Sequence, residues 1–163
     1  MMSSMSTPAD APSGTPGSSP DQPIDSPSGW VKEHIDRYVA TDGKDGHEWN
    51  GTKALLLTYQ GAESSLWRRT ALIYGESGDA YALVASKGGA PEDPAWYASL
   101  VAHPDCRIQV MGEVLDVTAR TASPDERAAI WPIMTAQWPA YDEYVEKAKA
   151  ADRVIPVVVL ERR

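Results

Sequence analysis

Residues 54–85 read ALLLTYQGAESSLWRRTALIYGESGDAYALVA. Ala54–Tyr59 is an apolar run of strand length, and Gln60–Ser65 is a polar turn. Trp67–Tyr74 is a second strand. Glu76–Asp79 turns tightly around Gly78, and Ala80–Ala85 closes a hairpin. The connections are short, so these neighbours are antiparallel. A doubly wound fold needs strict strand–helix alternation, and the first three strands lack it.

On the C-terminal side, Ser86–Asp93 is a glycine-containing loop. Asp93 then stands as a candidate N-cap with Pro94 at the first helical position. That helix carries Trp96, Tyr97 and Leu100 and ends before Pro104. Arg107–Met111 and Glu113–Thr121 alternate about Gly112 like paired strands. Ser123-Pro124-Asp125-Glu126 has the form of a capping box, which starts a helix reaching about Ala136. Trp138–Ala150 is a further helix entered at Pro139, and Ile155–Glu161 is a final apolar strand. On the N-terminal side, the spacing of Val31, His34, Ile35, Tyr38 and Val39 predicts an amphipathic helix over Trp30–Ala40. Thr41–Gly51, with three glycines, reads as a loop. The expectation is an α+β fold: about six mostly antiparallel strands in a small barrel or closed sheet, with appended helices.

Residues 1–28 differ in kind. Six prolines punctuate a Ser/Gly/Thr background, and Ile24 is the sole branched aliphatic residue. Such a segment buries too little apolar surface to offset its ordering entropy, so it is expected to be a disordered tail. The ordered domain is expected over residues 29–163.

Net charge is −8. Three of the acids, Asp10, Asp21 and Asp25, lie in the first 28 residues, which hold no Lys or Arg. A nucleic-acid binder would need a basic footprint, so that class is excluded. A lone cysteine, Cys106, allows no internal disulfide and suits a reducing cytoplasm; it reads as a small buried apolar residue. The acidic, Ser/Pro-rich tail offers no basis for anchoring at a membrane. Oligomeric state is not readable.

Three stretches could carry chemistry. Ala85-Ser86-Lys87-Gly88-Gly89 follows a strand directly. It is either an ordinary turn with an exposed lysine or a cradle in which backbone N–H groups, Ser86 and Lys87 meet an anion. In Trp67-Arg68-Arg69-Thr70, alternation sends the two arginines to opposite faces, so one can enter a cleft. Trp138, Tyr141 and Tyr144 share one helix face, as core packing or as a wall for a flat ring. There is no C-x-x-C, H-E-x-x-H, G-x-S-x-G, Walker loop or dinucleotide glycine fingerprint, and the three histidines give a metal site little support.

Taken in order, Ala85-Ser86-Lys87-Gly88-Gly89, Pro94-Ala95-Trp96-Tyr97 with Leu100 and Pro104, and Asp152-Arg153 with Ile155-Pro156-Val157-Val158-Val159-Leu160 resemble the deazaflavin-dependent nitroreductase and quinone reductase family. The likeness runs from about Trp30 to the C-terminus. It implies a split β-barrel like that of FMN-binding reductases. It also implies coenzyme F420, an 8-hydroxy-5-deazaflavin, delivering a hydride to a quinone, nitro compound or activated alkene. By the family pattern Ser86, Lys87, Gly88 and Gly89, with Ala85, lie at the cofactor. Arg68, beside Thr70, meets its phosphate or polyglutamate tail, and Trp96 and Tyr97 line its pocket. Trp138, Tyr141 and Tyr144 face the acceptor, with Ser86 assisting. Two departures stand out. Gly61-Ala62-Glu63-Ser64-Ser65 replaces a common Gly-x-Lys-Ser-Gly, so a carboxylate faces a polyanion, and Ala71 stands where proline is usual. An FMN-dependent split-barrel oxidoreductase and a non-catalytic deazaflavin-binding protein stay open as alternatives. The expected location is cytoplasmic, with peripheral membrane association open.

Overall fold

The computed structural model describes residues 15–27 and 29–163. In chain order the elements are β1 (Ile24–Asp25), α1 (Gly29–Ala40), β2 (Glu48–Trp49), β3 (Thr52–Gln60), β4 (Trp67–Ile73), β5 (Gly75–Ser77) and β6 (Ala80–Val84). A 3-10 turn (Lys87–Gly89) leads to α2 (Ala95–Ala102), β7 (Asp105–Val110), β8 (Glu113–Thr121), α3 (Pro124–Gln137), α4 (Ala140–Lys149) and β9 (Val157–Arg162). The α+β class stands. The strands form one open sheet of nine rather than about six, in the order β1-β4-β3-β7-β8-β9-β6-β5, with β2 paired to β3. The expected count fell short because β1, β2 and β5 span only two or three residues, too few to show a period-two pattern.

All pairings are antiparallel except β1 on β4. The β3–β4 ladder runs from Ala54 opposite Ile73 to Gln60 opposite Trp67. This register sends Leu55 and Leu57 to one face and Leu56 to the other. Leu55 and Leu57 join Leu83, Ile108, Val117, Val158 and Leu160 under α2 in the main core, so the sheet curls around its own apolar face. Leu56 packs instead under Ile35 and Tyr38 of α1. A third cluster seats α3 and α4 through Ile130, Met134, Tyr141 and Ala148 on Ala82, Val157 and Val159.

Cys106 lies in the main core at 1% exposure, and burial pushes its thiol up to about 12. The Ser123 capping box forms in full: Ser123 Oγ accepts from Glu126 N, and the Glu126 carboxylate accepts from Ser123 N. Asp93 does not cap α2. The N-cap position falls on Pro94, and the Asp93 carboxylate pairs with Arg153 Nε at 2.8 Å. A cationic partner distant in the chain wins over the local cap.

The segment read as a tail divides. Residues 1–14 and 28 lie outside the described residues, whereas residues 15–27 form a strap that pairs with the outer edge of β4 at Gly17 and at Ile24–Ser26 and reaches β7 at Asp21. Trp67 N donates to Gly17 O, and Ser26 N donates to Arg69 O. Asp25 accepts a forked pair of bonds from Arg69 at 2.6 and 3.1 Å, and Asp21 accepts from Arg107 at 2.8 Å. Backbone pairing and two carboxylates, rather than apolar burial, hold this stretch. That is why its composition did not show it.

Candidate functional site

The main cavity, of about 300 Å³, opens between the end of β4, the end of β6, the 86–88 loop, α1 and α4. A larger groove of about 810 Å³ lies over β6 and α3, but its Arg120 is already held by two carboxylates, Glu126 and Glu161. The smaller cavity collects the chemistry. Ser86, Lys87, Gly88, Trp96, Trp138, Tyr141 and Tyr144 all line it. The 86–88 loop, Trp96 and the Trp138–Tyr144 segment therefore converge on one space.

The loop after β6 supplies the floor. Lys87, Gly88 and Gly89 hold φ of 48°, 63° and 82° in succession, a left-handed run that two glycines make affordable. Gly89 N donates to Ser86 O and Ala90 N to Lys87 O. Among the described residues the N–H groups of Lys87 and Gly88 and the Ser86 hydroxyl have no acceptor or donor facing them. A Cβ placed on Gly88 would meet nothing within 4 Å, so the backbone there is open to a ligand. Lys87 Nζ pairs with Glu92 at 3.0 Å in solvent.

Helix α4 supplies the wall. Tyr141 and Tyr144 meet edge to face at 6.1 Å. Trp138 Nε1 donates to the Tyr144 hydroxyl at 3.3 Å, which leaves that hydroxyl's own hydrogen to point elsewhere. Tyr141 is 5% exposed, yet its hydroxyl has no hydrogen-bond partner among the described residues. Burial, with Tyr144 adding to it, raises the Tyr141 pKa, so this phenol stays protonated across the neutral range.

Five expected residues lie off the cavity wall. Arg68 and Thr70 are further along β4, opposite Tyr59 and Leu57. Ala85 is buried in the main core, and Gly89 abuts α4. Tyr97 turns to the other side of α2, where its hydroxyl meets Thr121 Oγ1 at 2.8 Å. Arg69, the other arginine of the pair, is taken by Asp25.

Sequence reasoning missed four residues. Trp30 of α1 stacks on Trp49 of β2 at 5.8 Å and 16°, and Trp49 leans on Trp138 at 5.7 Å. Both line the cavity, and a tryptophan inside the glycine-rich 41–51 loop was the available signal. His34 also lines it; its Nε2 lies 2.6 Å from Gly46 O and must donate, because a carbonyl only accepts. Arg153, only 7% exposed in its side chain, reaches under the floor.

These features fit a deazaflavin: a ring-sized aromatic space, open backbone N–H groups and one lysine free to exchange its partner. Residues 30–162 match the family model described as F420H(2)-dependent quinone reductase. The chain is 38% identical over 148 residues to an F420H(2)-dependent quinone reductase of Mycobacterium tuberculosis (strain ATCC 25618 / H37Rv), covering 83% of this chain and 98% of that one. A solved F420-H2 dependent reductase is 39% identical with a TM-score of 0.60, covering 66% of this chain and 93% of that one. Another solved structure, described as a domain-swapped dimer, is 37% identical with a TM-score of 0.63 and covers 83% of this chain and 100% of that one. A heme binding protein from Mycobacterium smegmatis, 18% identical at a TM-score of 0.52 over 69% of this chain and 47% of that one, shares the fold alone. The chain belongs to the F420H(2)-dependent quinone reductase family.

Proposed function

We propose that this cavity brings a reduced deazaflavin against a flat acceptor, a quinone first of all, within a reductase domain formed by residues 29–163. Family membership makes the chain an F420-dependent oxidoreductase. The coenzyme, when bound, supplies the hydride.

The observation that carries the reading is the Tyr141 hydroxyl: buried, kept neutral, and without a partner among the described residues. A buried donor with no protein partner is available to a ligand or to an ordered water. Tyr144 stands beside it with its oxygen already held by Trp138. Both phenols donate toward the acceptor. A quinone that gains a hydride is left with one oxyanion, and a hydroxyl directed at it stabilises that charge by hydrogen bonding. Ser86 adds a third hydroxyl at the floor. Trp138 and Trp96 bound the space and exclude water, so the two rings are positioned with little else required.

Lys87 and the N–H groups of Lys87 and Gly88 take the anionic part of the coenzyme. Its exchange from Glu92 costs little, since an exposed pair contributes at most about 1 kcal/mol. Arg68 and Thr70 serve the tail where it leaves the cavity along β4, and Ala85, Gly89 and Tyr97 shape the pocket from behind. Nitroaromatics and enones are alternative acceptors for the same hydride.

Mixing the protein with reduced F420 and menadione should oxidise the coenzyme. Tyr141→Phe and Tyr144→Phe should each lower kcat on the order of 10–100-fold while coenzyme binding, read by tryptophan quenching, persists. No oxidation with quinones, nitroaromatics or enones would count heavily against the reading.

A further inference from the structure

We propose that Arg153 is a positioning residue: it never meets the coenzyme, and it holds the 85–90 loop in the left-handed form that the coenzyme site requires. The proposal rests on the cavity being that site.

The side chain is nearly sealed from water, at 7% exposure. Nη1 donates to Ser86 O at 2.9 Å and to Ala90 O at 2.7 Å. Nη2 donates to Ala85 O, and Nε donates to Asp93 Oδ1 at 2.8 Å. Four of the five N–H donors of one guanidinium are therefore directed at the two ends of a single loop and at the residue before Pro94, whose helix carries Trp96. Only a planar fork reaches all of these at once; an ammonium on a flexible stem cannot. A buried arginine facing one carboxylate is costly unless its remaining donors are satisfied, and here backbone carbonyls do it.

The clamp matters because the loop is strained and tightly seated. Three successive residues hold positive φ. On its far side, a Cβ on Gly89 would come within 2.7 Å of Tyr144 O and 3.0 Å of Lys147 Cβ. The loop is thus fixed between Arg153 below and α4 beside it. That fixes the floor residues Ser86–Gly88 relative to the wall residues Tyr141 and Tyr144. Asp152, at φ 55°, turns the chain so that Arg153 enters from the end of α4, and Arg153 N donates to Ala148 O. Floor, wall and guanidinium form one unit.

The test compares Arg153→Lys and Asp93→Asn with the parent. F420 is titrated into each and followed by tryptophan quenching, and backbone amide exchange is mapped over residues 85–90 without coenzyme. Kinetics with menadione then separate the two substrates. Arg153→Lys should bind F420 about 10-fold or more weakly and exchange the 87–90 amides faster. Its KM for coenzyme should rise while its KM for menadione stays at the parental value. A general loss of packing would not divide the two KM values this way. Asp93→Asn keeps the carbonyl bonds and should bind F420 about threefold more weakly. A folded Arg153→Lys with parental affinity and exchange overturns the proposal. If that variant does not fold, Asp93→Asn decides: a weaker coenzyme with unchanged menadione KM supports it, and parental affinity overturns it. A parent that takes up no F420 overturns the cavity assignment and this proposal with it, whereas normal parental uptake with unaltered variants overturns this proposal alone.

Discussion

Two glycine-bearing loops follow strands β3 and β6, and they are built on opposite plans. The 61–66 turn after β3 satisfies itself. Ser65 N donates to Gly61 O, Leu66 N to Ser64 Oγ, and Gln60 Nε2 to Ser65 O, while Ala62 N is taken by Ser99 Oγ of α2. Residues 62–66 stand in solvent. The 85–90 loop after β6 is tied down through its carbonyls by an arginine from far along the chain, and the N–H groups of Lys87 and Gly88 stay open. A turn that consumes its own polar groups is a connection. A turn held from behind, with donors to spare, is a binding surface.

The sharpest way to break this contrast is to add one methyl group to each loop. Gly89→Ala meets Tyr144 O and adopts an unfavourable φ of 82°, so unfolding in urea should show a loss of about 3 kcal/mol. Gly61→Ala has its one close contact with the movable tip of Ser64, Leu66 O standing at 3.4 Å, so its loss should stay below about 1 kcal/mol. Equal losses would remove the distinction. Next, Lys87→Ala should weaken F420 binding by about 1–3 kcal/mol, the scale of a charge-assisted bond. Its melting temperature should hold, since the Glu92 pair is exposed.

Alkali offers a third probe. Tyr59 is raised by burial, but Arg68 near the first loop opposes the shift; Tyr141 beside the second loop has Tyr144 and no cation. Their folded pKa values lie above the unfolded value near 10, so the stability they contribute is whole below about pH 10 and fades as pH rises through the folded values. Ultraviolet titration with Tyr59→Phe and Tyr141→Phe controls should show Tyr59 ionising first. The smallest effect belongs to Glu63→Lys. Removing a carboxylate from the solvent-facing turn should tighten F420 about threefold at low salt, and the gain should vanish at high salt.

Much of this was legible along the chain. Alternation and turn chemistry located the long strands, because a half-buried ladder imposes period two on its residues. The Ser123 box formed because both of its bonds close within four residues. The loop after β6 and the Trp138–Tyr144 segment that line the cavity could be picked out for the same reason: their residues are clustered in sequence. What escaped reading depends on partners far away. Asp93 looks like a cap until Arg153, 60 residues on, claims its carboxylate. Residues 15–27 look unstructured until Arg69 meets Asp25 across 44 residues. Trp49 sits in a glycine-rich loop whose composition says nothing of the Trp30 and Trp138 rings on either side.

The strap has a practical consequence. It pairs with β4 at the outermost position of the sheet, where a strand otherwise offers unclaimed amides and carbonyls to any passing chain. A version trimmed to Trp30, the first residue of the family match, would strip that cover and leave Arg69 without its carboxylate. Such a product should self-associate on concentration through sheet extension. Crystallographic or enzymological work on a shortened form would then report on an artificial assembly.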